Sequence, residues 1–368
     1  MRVLLATDGS DDARTAGAWL TQLPLPADRR LRVVCAVSIP SSALDIPPVR
    51  DFEASLRAEA KRAAEAARAE LAPWFTDSDI QVLEGDAREA ILRAAEEWRA
   101  DLIVLGARGL GAVAGFLLGS VSLGVARHAR CSVLVVKPGA GVIRRILIAI
   151  DGSEHAAAAA AFVAGLPLDP MMVVQLVGVV QSPPYPATTP AFATGIVRDA
   201  IAQIVKERTA VLEQSLAKAA APFAGVAKKV ERQVLVGHPL DALLGAAAKP
   251  DVGLVVVGAR GLGALKRLVL GSVSEGILRH ADRPVLIVLS DGKPNDVDIY
   301  EGPYGVEDTR QAVAEARQQG VTVFCLTVDR EAPRYAARIF GRSGFAVLRR
   351  TDELPAVVID VLRRLVRC

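Results

Sequence analysis

The 368-residue chain predicts an α/β protein built from two doubly wound, five-stranded parallel-sheet domains in tandem, with a small αβ extension behind them. Three observations lead there. Short apolar runs alternate with helical patterns, which is the order that yields parallel sheets with right-handed crossovers. The composition is 51% hydrophobic but only 4% aromatic, suited to layers packed with Ala, Val and Leu. The third is repetition. GARGLGAVAGFLLGSVS at 106–122 returns as GARGLGALKRLVLGSVS at 258–274, identical at 12 of 17 positions. VLLATDGSDDA at 3–13 matches ILIAIDGSEHA at 146–156, and EGDAREAIL at 84–92 matches VGHPLDALL at 236–244. The offset is 143 at the first pair and 152 from Gly85/Gly237 onward, so the second copy holds nine extra residues, expected around the Pro-rich QSPPYPATTP at 181–190. Expected domains are 1–139 and 140–289, with the extension at 290–368.

The elements of the first copy follow in order. Residues 2–7 are a short apolar run meeting Asp-Gly-Ser, a turn and helix-start signal, before a helical pattern at 11–22. LRVVCAVS at 31–38 is strand-like, and 51–72 is a long Ala/Glu/Arg helix that covers a sheet, too short for several coiled-coil heptads. A strand at 79–84, a helix at 86–99 and a strand at 101–106 precede the glycine loop. A helix at 119–129 and a last strand at 131–137 close the copy. The strands are apolar on both faces, as a covered parallel sheet requires. The extension reads as a helix at 306–319, a strand at 321–329, a helix at 331–340, a strand at 345–349 and a helix at 352–366.

Composition excludes several classes of function. A net charge of +3, with no Lys/Arg run interleaved with aromatics, argues against nucleic acid. The four cysteines (Cys35, Cys131, Cys325, Cys368) contain no CxxC, so neither a disulfide framework nor a zinc site is expected. Cys35 and Cys131 lie in apolar runs and read as buried small hydrophobes. MRVLLATDGS reaches Asp8 too soon for a secretory leader. LGAVAGFLLGSVSLGVA at 110–126 is apolar, but its repeat partner carries Lys266, Arg267, Glu275 and Arg279, so a membrane span is rejected. The expectation is a soluble cytoplasmic protein.

The loop after the fourth strand carries the chemistry. It spaces Gly106, Gly109 and Gly119-Ser120 in the first copy, and Gly258, Gly261 and Gly271-Ser272 in the second. In open α/β sheets ligands bind at strand C-terminal ends. Glycines let backbone N–H groups approach an anion, and a helix N-terminus favours phosphate. Ser120, Ser122, Ser272 and Ser274 are candidate hydroxyl donors. No GxxxxGK[ST] occurs, so the pattern suits holding a nucleotide rather than splitting it. Arg108 and Arg260 are placed either to reach phosphate or to lie solvated. The alternative for the glycines is tight turns and close packing alone.

G-x2-G-x9-G-S after a strand, the DGS turns and the closing apolar strand resemble ATP-binding universal stress proteins over residues 1–289. That resemblance implies a flavodoxin-like (Rossmann-like) sheet in each copy, pairing of the two through their last strands, and ATP, with Mg2+, held in each. It implies that Asp8 and Asp151 face the adenosine side or its metal, and that Val37 and Val180 line the adenine pocket. It carries Val121 and Val273 into the site with Gly106, Arg108, Gly109, Gly119, Ser120, Ser122 and their second-copy counterparts. Such a protein is a non-catalytic, nucleotide-dependent stress regulator in which the two copies act as an intramolecular pseudo-dimer, and a homodimer of chains is a further assembly the resemblance admits. Ala6 and Ala149 stand where some family members have proline. VAGF at 113–116 faces LKRL at 265–268, so only the second loop brings its own basic residues and the first site is expected to be the weaker.

His128 and His280 are repeat-equivalent and read as helix C-terminal caps. His155 and His238 have no partner at ligand spacing. In the extension, Asp291, Asp296 and Asp298 offer oxygen ligands to a hard cation, and a solvated acidic loop has the same composition. SDGKPND, YEGPYGVEDTR and FCLTVDRE resemble the C-terminal part of a von Willebrand factor A-type domain of NorD-type accessory proteins. The resemblance makes Asp291 a metal ligand of an incomplete site and residues 290–368 a protein-partner module, with an ATPase chaperone among the partners it admits, linked to denitrification or low oxygen. A slow ATPase is the enzymatic alternative.

Overall fold

The computed structural model describes residues 1–38, 47–110, 118–181, 196–227, 229–261, 270–289, 325–327 and 345–347, the last two segments by backbone alone. Two compact units result, Met1–Asp291 and Gly292–Cys368.

In the first unit the opening strands and helices are β1 (Arg2–Ala6), α1 (Asp11–Leu20), β2 (Arg30–Val37), α2 (Pro47–Leu71), β3 (Ser78–Glu84), α3 (Ala87–Trp98), β4 (Leu102–Gly106), α4 (Ser120–His128) and β5 (Ser132–Val136). The second repeat follows as β6 (Arg145–Ala149), α5 (Glu154–Ala164), β7 (Val173–Val180), α6 (Ile196–Ala220), β8 (Lys229–Val236), α7 (Pro239–Ala247), β9 (Val252–Gly258), α8 (Ser272–His280) and β10 (Val285–Val288). The expected helix at 51–72 starts earlier, at Pro47. The offset is 143 at Val37/Val180 and already 152 at the buried pairs Ala60/Leu212 and Ala64/Leu216. The nine extra residues therefore lie between Val180 and Leu212, a span that includes the Pro-rich stretch.

All ten strands form one sheet in the order β3-β2-β1-β4-β5-β10-β9-β6-β7-β8. Every neighbouring pair is parallel except the central one, where β5 and β10 run antiparallel with Leu134 opposite Leu286. Helices α1, α2, α5 and α6 cover one face with Trp19, Leu71, Val163 and Leu216. Helices α3, α4, α7 and α8 cover the other with Ile91, Val125, Leu243 and Ile277. Each face is a single hydrophobic cluster running across both repeats. Small side chains allow this: α5 buries Ala156, Ala159 and Ala160, which bring the helix close to the strands.

Polar ties cross the same seam. Arg127 on α4 donates to both oxygens of Glu275 on α8, at 3.0 and 2.6 Å. Lys137, buried just past β5, donates to the Leu278 carbonyl at 2.7 Å, satisfying an acceptor in the last turn of α8. Burial pushes its amine down to about 8. Trp19 Nε1 donates to the Gly141 carbonyl at 3.0 Å and pins the segment linking β5 to β6.

In the second unit, β11 (Cys325–Thr327) and β12 (Phe345–Val347) pair in parallel, within the strands expected at 321–329 and 345–349. The three helices expected there, and Asp291, Asp296 and Asp298, lie outside the described residues. The cysteine reading agrees with the structure at Cys35, which is buried, while Cys131 is half-buried against the other face's cluster; burial raises the two thiols to about 11 and about 12.

Leu286 is fully buried at the seam. Leu286→Ala is expected to cost about 2–5 kcal/mol in denaturant unfolding, and amide exchange should rise in β5 as well as β10 because both belong to one sheet.

Candidate functional site

The strand order places β1 beside β4, with α1 and α4 leaving to opposite faces. This is the topological switch point where open α/β sheets bind ligands. A cavity of about 550 Å³ opens there in the first repeat. Its floor is the ends of β1 and β4 (Ala6, Thr7, Asp8, Leu105, Gly106) and its walls come from Ala36, Ile91, Leu118, Val121 and Leu123.

Asp8 stitches the site together. Its carboxylate accepts from Ser10 N–H at 3.0 Å, closing the DGS turn, and from Leu110 N–H at 2.8 Å across the glycine loop. A Cβ on Gly109 would penetrate that carboxylate, so only glycine permits the approach. Gly106 is equally constrained, since a Cβ there would lie 2.6 Å from the Asp12 backbone. The second repeat reproduces both contacts. Asp151 accepts from Ser153 N–H at 2.9 Å, a Cβ on Gly261 would penetrate the Asp151 carboxylate, and one on Gly258 would lie 2.6 Å from the His155 backbone.

The helix starts differ in their caps, and His238 at the start of α7 provides no side-chain cap. Ser10, Asp86 and Ser153 cap α1, α3 and α5 by accepting a backbone N–H. Gly119 and Gly271, at the starts of α4 and α8, provide no side-chain cap. Helix α4 therefore presents N–H groups without a side-chain cap among the described residues, and its positive dipole end, beside Gly109, Gly119 and Ser120, all of which line the cavity.

The sequence-predicted residues divide. Asp8, Gly106, Arg108, Gly109, Gly119, Ser120, Val121 and Ser122 converge on the cavity. Ser122 is not a free donor, however: its hydroxyl donates to the Gly106 carbonyl at 2.7 Å, and Ser274 does the same to Gly258 at 2.7 Å. These two serines tie the helix back to the strand end. Ser120 and Ser272 are exposed, while Val273 is half-buried and packs against the cluster under α7 and α8. Val37 does not line the cavity. Strand alternation turns it, like Val180, to the face under α1, α2, α5 and α6, and puts its neighbour Ala36 on the cavity side. The Val37 and Val180 carbonyls accept from Gly85 and Gly237 N–H. His128 bonds the Gly124 carbonyl near the end of α4 at 2.8 Å, in keeping with a role in the helix's last turns.

Arg108 is neither free nor simply solvated. Its Nε donates to Asp12 Oδ2 at 3.0 Å, and its backbone N–H donates to the same oxygen at 3.1 Å. That partnership raises the guanidinium further above its ordinary value. The position equivalent to Asp12 is His155, so Arg260 lacks this carboxylate, and its buried Nε has no partner among the described residues. Burial, and then the Arg260 charge, holds the His155 imidazole below its ordinary value. Asp12, Ala36, Ile91 and Arg279 escaped the sequence reading because each comes from an element distant from the loop.

Among the described residues no group of His, Cys, Asp and Glu could hold a metal ion, and no helix is long and apolar enough to cross a membrane.

Fold and site define a tandem of doubly wound α/β domains, each with a glycine loop packed on a strand-end carboxylate. Residues 1–137 and 143–288 each match the universal stress protein family, and the chain belongs to that family. A universal stress protein of Thermus aquaticus is 42% identical over 137 residues, 37% of this chain and 97% of that one. A universal stress protein from Archaeoglobus fulgidus shares the fold at a TM-score of 0.51 and 22% identity, covering 78% of this chain and 96% of that one. Protein NorD of Stutzerimonas stutzeri is 54% identical over 71 residues, 19% of this chain. This NorD-like match is consistent with the likeness expected of the extension. The chain spans only 12% of that NorD.

Two outcomes follow. Gly109→Ala should cost about 1–3 kcal/mol through overpacking, and much of that cost should vanish in the Asp8→Ala background, as a double-mutant unfolding cycle would measure. His155 has a folded pKa below its unfolded one, so its contribution to stability is present above about pH 6.5 and is lost as pH falls through the folded value. Unfolding free energy should therefore decline on acidification through that range, and decline less in His155→Gln.

Proposed function

We propose that each repeat binds ATP, with Mg2+, at its glycine loop, and that the protein is a non-catalytic, nucleotide-dependent regulator of the stress response. The observation that carries this reading is the cavity bounded by the Asp8-clamped loop and the uncapped start of α4. Its volume suits a nucleotide-sized ligand, since such pockets are about 300–1,000 Å³. The apolar walls at Ala36, Ile91 and Leu105 suit a base, and Gly109, Gly119 and Ser120 suit phosphates. Asp8 is the group that would face the ribose or the metal ion, and the metal would neutralise phosphate charge. Asp151, Gly258, Arg260, Gly261, Gly271, Ser272, Val273 and Ser274 are the corresponding second-site group.

Holding rather than splitting is favoured because no lysine or histidine is among the described residues lining the cavity. The division into domains 1–139, 140–289 and 290–368 goes with this reading. The same reading assigns residues 290–368 to a protein partner, Asp291 to an incomplete metal site and the protein to the cytoplasm.

Calorimetric titration of nucleotide-stripped protein with Mg·ATP tests the proposal. Two equivalents per chain are expected, lost in the Gly119→Val/Gly271→Val double variant. No binding to the wild type would overturn it.

A further inference from the structure

The first-repeat cavity has a charge problem. Its described ionisable lining consists of Asp8, Arg108 and Arg279. Arg108 is already neutralised by Asp12, to which Nε and Nη2 donate at 3.0 and 3.4 Å. The loop segment 111–117, GAVAGFL, carries no charge. Within its own repeat the site therefore offers a phosphate group one committed arginine and two carboxylates. A helix dipole supplies about half a charge at α4, too little to offset them before a metal ion is bound.

Arg279 alters that balance, and it belongs to the other repeat. It stands in the last turn of α8, across the β5–β10 seam, and lines the first-repeat cavity. Its Nε donates to Glu275 Oε1 at 2.9 Å, while its two terminal nitrogens donate to nothing among the described residues. Glu275 is shared, because Arg127 takes both of its oxygens. One carboxylate thus faces two guanidiniums and leaves a net positive charge at the cavity edge. The Lys137 amine holds the Leu278 carbonyl, next to Arg279, and fixes this turn of α8 against the end of β5.

Resting on the nucleotide reading above, we propose that Arg279 is a phosphate-binding residue of the first-repeat site, supplied by the second repeat. The arrangement is one-sided. Arg127, the repeat equivalent of Arg279, spends Nε and Nη2 on Glu275, whose own equivalent in the first repeat is Leu123. Among the described residues the second repeat draws on its own Arg260, which lacks a carboxylate where Asp12 would stand, and its loop sequence adds Lys266 and Arg267. The two sites thus gain positive charge by different routes, and the first depends on the seam being intact. The expectation that the first site is the weaker counted only the cations on its own loop.

The test is titration of the full chain with Mg·ATP and, separately, with adenosine, in wild type, Arg279→Ala, Arg279→Lys and Arg127→Ala. The sites are separated in a Gly271→Val background checked by circular dichroism, or by two-site fitting if that background does not fold. Loss of a hydrogen-bonded charge should weaken ATP at the first site by about tenfold or more. Adenosine affinity should stay unchanged, Arg279→Lys should recover part of the loss, and Arg127→Ala should weaken ATP at the first site less than Arg279→Ala does, because Glu275 is then left to Arg279 alone. Wild-type ATP affinity at the first site in Arg279→Ala overturns the assignment alone. An equal loss for adenosine also overturns it, by showing a structural role. Absence of any binding to wild type overturns the nucleotide reading and this assignment with it.

Discussion

The contact between Asp8 and the glycine loop is the constraint from which the site follows. A carboxylate at the end of the first strand accepts a backbone N–H from the loop after the fourth strand, with no room for a side chain at Gly109. Closure of this kind brings two chain segments about a hundred residues apart to one strand edge, Asp8 and Leu110 being 102 positions apart. It also leaves the start of α4 pointing into the cavity without a cap. Asp151 and Gly261 repeat the packing, so one local solution serves twice. Asp8 is half-buried, and the bonds that satisfy its carboxylate are the bonds that shape the loop.

The second constraint is the shared sheet. Antiparallel pairing of β5 with β10 removes the exposed edge that each five-strand sheet would otherwise present. Covalent linkage makes this pairing independent of protein concentration. It also releases the two repeats from identity. Asp12 faces His155, Leu123 faces Glu275, and Lys137 faces Leu289 in the repeat alignment. All three exchanges alter charge, and all three lie near the sites or the seam. A homodimer of identical chains cannot place different residues at equivalent positions of its two halves. The tandem does, and its seam carries the resulting ion pairs.

Much of this was legible in the sequence. The β–α alternation placed the five strands of the first repeat to within a residue or two, and the repeat carried the same order to the second, because apolar runs bounded by Gly and Asp leave little latitude. The glycine spacing located the loop, since close backbone approaches admit no other residue. What the sequence concealed was direction and distance. Val37 and Ala36 are adjacent, and only the pleat decides which one faces the cavity. Ser122 read as a free donor because nothing in a linear pattern shows that its hydroxyl is committed to Gly106. Asp12 and Arg279 carry no local motif. Their positions are fixed by how α1 and α8 pack, which is long-range information. The paired strands β11 and β12 fall where β-branched and apolar residues cluster in the extension, the same signal that served the larger sheet.

The most direct test of the central claim is amide hydrogen exchange of the full chain with and without Mg·ATP. Protection concentrated at Leu110, at the start of α4 and in the matching second-repeat segment is the predicted result, because those N–H groups either close on the carboxylate or await an acceptor. Binding accompanied by protection elsewhere, with these amides unchanged, would contradict the account and return the glycines to a purely structural role.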